Sequence, residues 1–289
     1  MRKGGLLPWL YVGPVLLILA FFLVYPALNT VYLSLFDKRS ENFVGLDNYV
    51  WALTSKDMLT AFKNNVLWLV LFTALTVSLG LVFAVLLDRV RYEAVAKSVI
   101  FLPMAISFVG AGVIWKFMYA FRPASAAQIG LLNGILRNFT NLDPIGWLVN
   151  RTTNNFALIV VGIWIWTGFC MVILSAAYKG IPKELIEAAR VDGANEWQVF
   201  WGITLPMMKP TIAVVATTMV INVLKVFDIV YVMTNGALGT EVVANRMYKE
   251  MFHFRSFGRA SAIAVILLLA IIPVMLVNIR RFREQEAVR

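Results

Sequence analysis

Six long apolar runs, at about residues 8–35, 64–87, 98–121, 156–178, 211–232 and 260–279, decide what this 289-residue chain can fold into. As a helix rising 1.5 Å per residue, each is long enough to cross roughly 30 Å of hydrocarbon. Inside a bilayer the backbone has no water to bond, so an apolar run must satisfy its own N–H and C=O groups. The reading is an all-α, multi-pass membrane protein forming one transmembrane domain over residues 1–289. Charge supports it: 15% of residues are charged, against about 25% in soluble domains. The first run extends from Gly4 to Phe36. That exceeds the 7–15 residues of a signal-peptide core, and no small-residue cleavage site closes it. It is read as an uncleaved first helix that Pro8, Pro14 and Pro26 start or bend.

What the chain lacks narrows its chemistry. Its one cysteine, Cys170, lies in an apolar run, and its one histidine is His253. An internal disulfide framework, a CxxC site and an HExxH zinc site are therefore excluded. No Gly-Lys dipeptide occurs, so there is no Walker A loop to bind ATP. No metal site, catalytic set or cofactor is expected in the chain itself. The net charge of +10 sits at the ends of apolar runs, which is a membrane pattern rather than a nucleic-acid one.

Six spans place both termini on one side. Residues 1–7, 88–97, 179–210 and 280–289 hold 13 Lys/Arg in 59 residues, whereas 36–63, 122–155 and 233–259 hold 11 in 89. Basic loops stay in the cytoplasm. Both termini, Lys183 and Arg289 are expected inside, with Lys56 and Asn141 outside.

The segment 179–210 is longer than a chain reversal requires. Pro182 suits a first helical turn, Glu184 and Glu187 suit the positive end of the helix dipole, and Gly193 suits a left-handed cap. Asn195 and Gln198 have capping-box spacing and open a second helix, EWQVFWG, which Pro206 is expected to end before the next span. Leu185, Ala188, Ala189 and Asp192 share one face of the first helix. Trp197, Phe200 and Trp201 make the second too aromatic for free water. The pair can lie on lipid headgroups or dock on a partner.

The run EAARVDGANEWQVFWGITLPMMKP, 187–210, resembles the cytoplasmic EAA loop of binding-protein-dependent ABC importer permeases, in its carbohydrate-type branch. FVGLDNY at 43–49, FLP at 101–103, LKVFDIVYVMTNG at 224–236 and FGRASA at 257–262 extend that resemblance over nearly the whole chain. The resemblance implies a type I importer fold in a bacterial or archaeal cytoplasmic membrane. It implies a coupling helix that contacts a separate ATPase through Glu187, Ala188, Ala189, Asp192 and Gly193. It also implies a second homologous permease, two ATPase subunits that bind ATP and Mg, and an extracytoplasmic binding protein. The cargo would be a sugar, an oligosaccharide such as an α-glucoside, maltose or trehalose. The chain has Asn235-Gly236-Ala237 where many sugar permeases have Gly-Gly-Pro. Residues 122–155 are also too few for a large outer insert.

The fifth run contains Lys225 and Asp228, one turn apart, with Asn222 a turn earlier. A charge in mid-membrane costs about 2.5–3.5 kcal/mol on insertion scales, so these groups do not face lipid. They form either an internal ion pair or a polar wall of a translocation path, beside which Tyr231 can stack on a sugar face. Trp164 and Trp166 can stack on a sugar. A self-sufficient secondary transporter or channel using Lys225 and Asp228 as an ion relay is the alternative, although secondary transporters usually show more spans and internal repeats.

Overall fold

A computed structural model of the chain describes residues 7–88, 90–140 and 142–287. Arg289 and Asn141, expected on opposite sides of the membrane, lie outside the described residues. The described chain is helical almost throughout, and its one strand-like feature is an isolated antiparallel bridge from Phe36 to Phe43. Five helices are long and apolar enough to span: Trp9–Leu33, Lys56–Leu87, Asn154–Lys179, Glu196–Leu224 and Phe257–Arg280. A bent pair, Glu93–Ala105 and Phe108–Met118, makes the sixth. The chain divides into two compact units, Met1–Leu59 with Arg246–Leu269 and Thr60–Asn245 with Ala270–Arg289.

In the first of these units, the span Trp9–Leu33 contains a π segment at Ala20–Val24. Pro26 sits in the first turn after it, where a missing N–H breaks nothing. The loop that follows is closed by side chains. The carboxylate of Asp37 accepts the N–H groups of Arg39 and Glu41 and the amide of Asn42. Buried Asn48 donates to the carbonyls of Ser34 and Phe36. The Phe36 carbonyl lies so close to Gly258 that any Cβ there would collide with it. Arg246 pairs with Asp57 at 2.8 Å and Glu250 at 2.7 Å.

The second unit is built around the fourth span, Asn154–Lys179, 67% of whose apolar window is buried. Small residues make this possible. A Cβ on Gly80 would lie 2.5 Å from the Cβ of Cys170, and one on Gly168 would lie 2.5 Å from the carbonyl of Ile100. Lipid is as apolar as leucine, so close backbone approach, not hydrophobicity, holds such helices together.

Three expectations require correction. The third span is not one straight rod over 98–121. Its two arms meet at 101°. Pro103 enters a 3₁₀ turn at Leu102–Ala105, Ile106 is extended, and the Ser107 hydroxyl accepts the N–H of Gly110 at 3.0 Å to cap the second arm. A break whose new N-terminus is capped leaves one fewer donor unpaired in the membrane. Pro206 does not end the helix opened by Asn195. The helix runs from Glu196 to Leu224 through a π segment at Phe200–Thr204, which brings Pro206 into a first-turn position. The fifth span itself stops at Leu224 rather than 232. Residues 225–227 leave the helix, and a short helix restarts at Asp228–Met233.

Beyond Met233 the chain turns with positive φ at Asn235, Gly236, Leu238 and Gly239. Asparagines strap this turn: Asn64 donates to the carbonyls of Gly239 and Glu241, and Asn154 to that of Leu238. Residues 122–155 carry a helix the sequence did not announce, Leu131–Thr140. It is held by buried Asn133, whose amide bonds Ala120, Ile145 and Trp147.

Candidate functional site

The break in the fifth span opens a cavity of about 250 Å³ lined by Asn222, Lys225 and Asp228, together with Trp68, Phe72, Phe108, Gly162 and Trp166. Each polar group reaches it because the helix ends there. Lys225 is the residue that caps Glu196–Leu224, and Asp228 opens the next helix, where a carboxylate is favoured by the free N–H groups. Asn222 lies in the last turn, its amide N–H donating to the Thr218 carbonyl at 3.0 Å. Because the helix is interrupted between them, the one-turn geometry that would pair Lys225 with Asp228 does not exist. No ion pair joins them among the described residues.

Aromatic faces supply the rest of the wall. Phe108, at the start of the second arm of the third span, stacks on Trp166 with centroids 6.1 Å apart and planes at 23°. Phe169 meets Trp166 edge-on at 5.6 Å. Trp68 and Phe72 lie one turn apart on the second span, and Gly162 leaves room for both rings: a Cβ there would be 3.0 Å from Trp68 and 3.1 Å from Phe72. The indole N–H of Trp68 is buried without a partner. Flat apolar faces beside an amide, an ammonium and a carboxylate match a polyhydroxylated ring, which offers both donors and acceptors.

The structure brings together Asn222, Lys225, Asp228 and Trp166 from the residues singled out in the sequence. Tyr231 is not on the wall. It stacks on Phe227 at 5.0 Å. Trp164 packs edge-on against Trp115 at 5.7 Å. Sequence reasoning missed Trp68, Phe72 and Phe108. The aromatic pair at i and i+4 in the second span was the available signal.

The helix pair is a second candidate site. Its first helix is Lys183–Val191, ending at Asp192. Gly193 has φ +87° and open space around it, so conformation rather than crowding requires glycine. The capping box forms in full: the Asn195 side chain accepts the Gln198 N–H at 2.9 Å, and the Gln198 side chain accepts the Asn195 N–H at 2.8 Å. Arg190 bonds Glu196 across the bend at 2.8 Å. Glu187, Ala188 and Asp192 are exposed and Ala189 is half-buried. Ile181, just before the helix, is buried. Leu185, Val191, Trp197 and Trp201 are exposed, Val191 at 88% and Trp197 at 70%. Val191, the most exposed of these, was not singled out in the sequence.

The family described as binding-protein-dependent transport system inner membrane component matches residues 76–281. The chain belongs to that family. Among relatives of this permease, an osmoprotective compounds uptake permease protein, GgtC, from Synechocystis is 67% identical over 97% of the chain and 100% of its own length. An alpha-glucoside transport system permease protein, AglF, from Rhizobium meliloti is 51% identical over 96% and 83%. A trehalose/maltose transport system permease protein, MalF, from Thermococcus litoralis is 29% identical over 96% and 95%. Among solved structures, a bacterial ABC transporter involved in the import of alginate superposes with a TM-score of 0.82, covering 96% of the permease and 95% of that chain at 23% identity. The likeness establishes the same fold. Both the importer-permease fold and the carbohydrate-type resemblance read from the EAA loop are borne out by these matches. The family is one of transport permeases, multi-pass in the inner membrane, not of enzymes.

Proposed function

We propose that this permease forms, with a second homologous permease, the membrane path for a small neutral α-glucoside such as trehalose or maltose. An extracytoplasmic binding protein delivers the solute, and two separate ATPase subunits, which bind ATP and Mg, drive the cycle. The observation that carries this reading is the cavity at the break in the fifth span, where Asn222, Lys225 and Asp228 face aromatic planes. Its volume of about 250 Å³ falls below the roughly 300–1,000 Å³ of sites that enclose a drug-sized ligand. One chain therefore supplies one wall, and a second permease completes it. Two relatives above half identity, one named for osmoprotective compounds and one for alpha-glucoside transport, favour an α-glucoside as the solute.

The exposed helix pair suits docking on the ATPases. Small Ala188 and Ala189 admit close approach, Glu187 offers an acceptor, and Leu185, Val191 and Trp197 supply apolar surface. In this reading the pair and both termini face the cytoplasm, because the basic loops belong there.

Uptake of labelled trehalose and maltose by cells carrying the whole transport system tests the path. Lys225→Ala and Asp228→Ala are each expected to lower uptake about three- to tenfold, the size of one lost hydrogen bond, with normal assembly. The double variant should be no better than either single one. Recovery in the double variant would reduce the two residues to an internal pair. Undiminished uptake after deletion of the ATPase would replace an ATP-driven importer by a self-sufficient transporter.

A further inference from the structure

Beside the helix pair, four charged residues tie three spans together. The Glu93 carboxylate lies 2.5 Å from both Lys97 and Lys179, and Lys179 lies 3.7 Å from Asp88. Lys97 also donates to the hydroxyl of buried Ser175 in the last turns of the fourth span. The Lys97 side chain is only 15% exposed. Partly buried ion pairs are a poor source of stability, since apolar replacements of like size often do as well. What such a network does impose is one relative arrangement of the elements it joins.

Those elements connect the two candidate sites. Lys179 closes the fourth span four residues before the helix Lys183–Val191 begins, and Ile181 between them is buried. Glu93 and Lys97 lie on the first arm of the bent third span. The second arm begins with Phe108 on the cavity wall. Farther along it, Gly112 packs against Val232 and Met233, with 3.2 and 3.4 Å left for a Cβ, and the Lys116 ammonium donates to the Val232 carbonyl at 3.3 Å. A cavity of about 450 Å³ lined by Asp88, Glu93, Lys179, Glu187 and Arg190 leaves space beside the network for movement.

We propose that the Glu93–Lys97–Lys179 network is the joint through which displacement of the 183–193 helix reaches the solute cavity, by way of the bent third span. The proposal rests on the reading of that helix as the ATPase contact. Lys179 moves with the helix, Glu93 transmits the motion to the first arm, and Lys97 with Ser175 keeps that arm in step with the fourth span. The three are positioning residues and touch neither solute nor nucleotide.

The test uses the complete importer in vesicles and measures the ratio of solute accumulated to ATP hydrolysed. A role in fold stability lowers the amount of complex and scales both quantities together, whereas a role in transmission lowers their ratio. Lys179→Met and Glu93→Gln are expected to lower the ratio about fivefold, the low end of measured couplings between sites. Lys179→Arg should stay within twofold of the parent. Where Glu93→Gln fails to assemble, Lys179→Met decides alone, because Lys179 is half-exposed and its loss leaves the Glu93–Lys97 pair intact. A ratio within twofold of the parent in Lys179→Met and Glu93→Gln, alongside a collapsed ratio in Gly193→Val, overturns the joint while leaving the docking helix in place. An unchanged ratio in Gly193→Val removes the docking reading itself.

Discussion

The first and fourth spans are nearly alike in apolar character and opposite in their packing. None of the first span's apolar window is buried within the chain, whereas 67% of the fourth's is. The first presents Leu10, Leu17, Phe22 and Leu23 outward, and nothing lies within 4 Å of where a Cβ on Gly13 would stand. The fourth carries Ala157, Gly162, Gly168, Cys170 and Ser175, and neighbours close in on its glycines. Apolar character places both segments in the bilayer but gives neither a reason to prefer protein over acyl chains. Small residues on the contact face make the difference. The first span keeps a broad apolar surface uncovered by the rest of the described chain.

The strongest way to break this contrast is to add bulk to both spans. Gly168→Leu would drive a side chain into the backbone of Ile100 and Phe101, where a Cβ alone stands 2.5–2.6 Å away. Backbone cannot step aside, so the cost is expected to reach about 3 kcal/mol or more, seen as loss of monodisperse protein on size exclusion. Gly13→Leu should leave the elution profile unchanged. Equal damage from the two would refute the account.

Removing bulk gives a smaller effect. Leu158 is fully buried and Leu17 is 72% exposed. Leu158→Ala should cost about 2–3 kcal/mol in reversible unfolding, near the low end of the soluble range, because in lipid only the cavity and lost contacts count. Leu17→Ala should stay within about 0.5 kcal/mol. Among the changes in the packed fourth span, Gly162→Ala is expected to alter stability least. Its Cβ would meet only the rings of Trp68 and Phe72 at 3.0–3.1 Å, which can shift for about 1 kcal/mol. Those rings wall the cavity, however, so solute uptake should fall while the melting temperature barely moves. Unaltered uptake would separate Trp68 and Phe72 from the path.

Where local chemistry governs, the sequence was informative. Gly193 with its positive φ and the Asn195–Gln198 box are contacts within a few residues, and both were visible as motifs, whereas Pro182, expected inside the first turn, stands just before the helix as its cap. The six spans were legible because each is a long run of one character. The bend in the third span was not, because Pro103 reads equally as a mild kink and the extended Ile106 carries no distinguishing side chain. Residues 225–227 contain neither Gly nor Pro, and the clue to that break was a lysine inside an apolar run. Pro206 reads as a helix end because its tolerance depends on the π segment before it, which no local residue type announces. The aromatic wall was missed because Trp68, Phe108 and Trp166 come from three spans and meet only in the folded chain.

The π segment at Phe200–Thr204 joins the exposed helix pair to the span that ends at the cavity, within one continuous helix. An α-helix turns about 100° per residue, and a π segment absorbs one extra residue within a single widened turn. The compass bearing of Glu196 and Trp197, relative to Asn222 at the far end, therefore depends on that one turn. Tightening it to regular pitch with the residue count kept would swing that end by about 100°, whereas deleting Gly202 at the same time would leave the bearing where it stands.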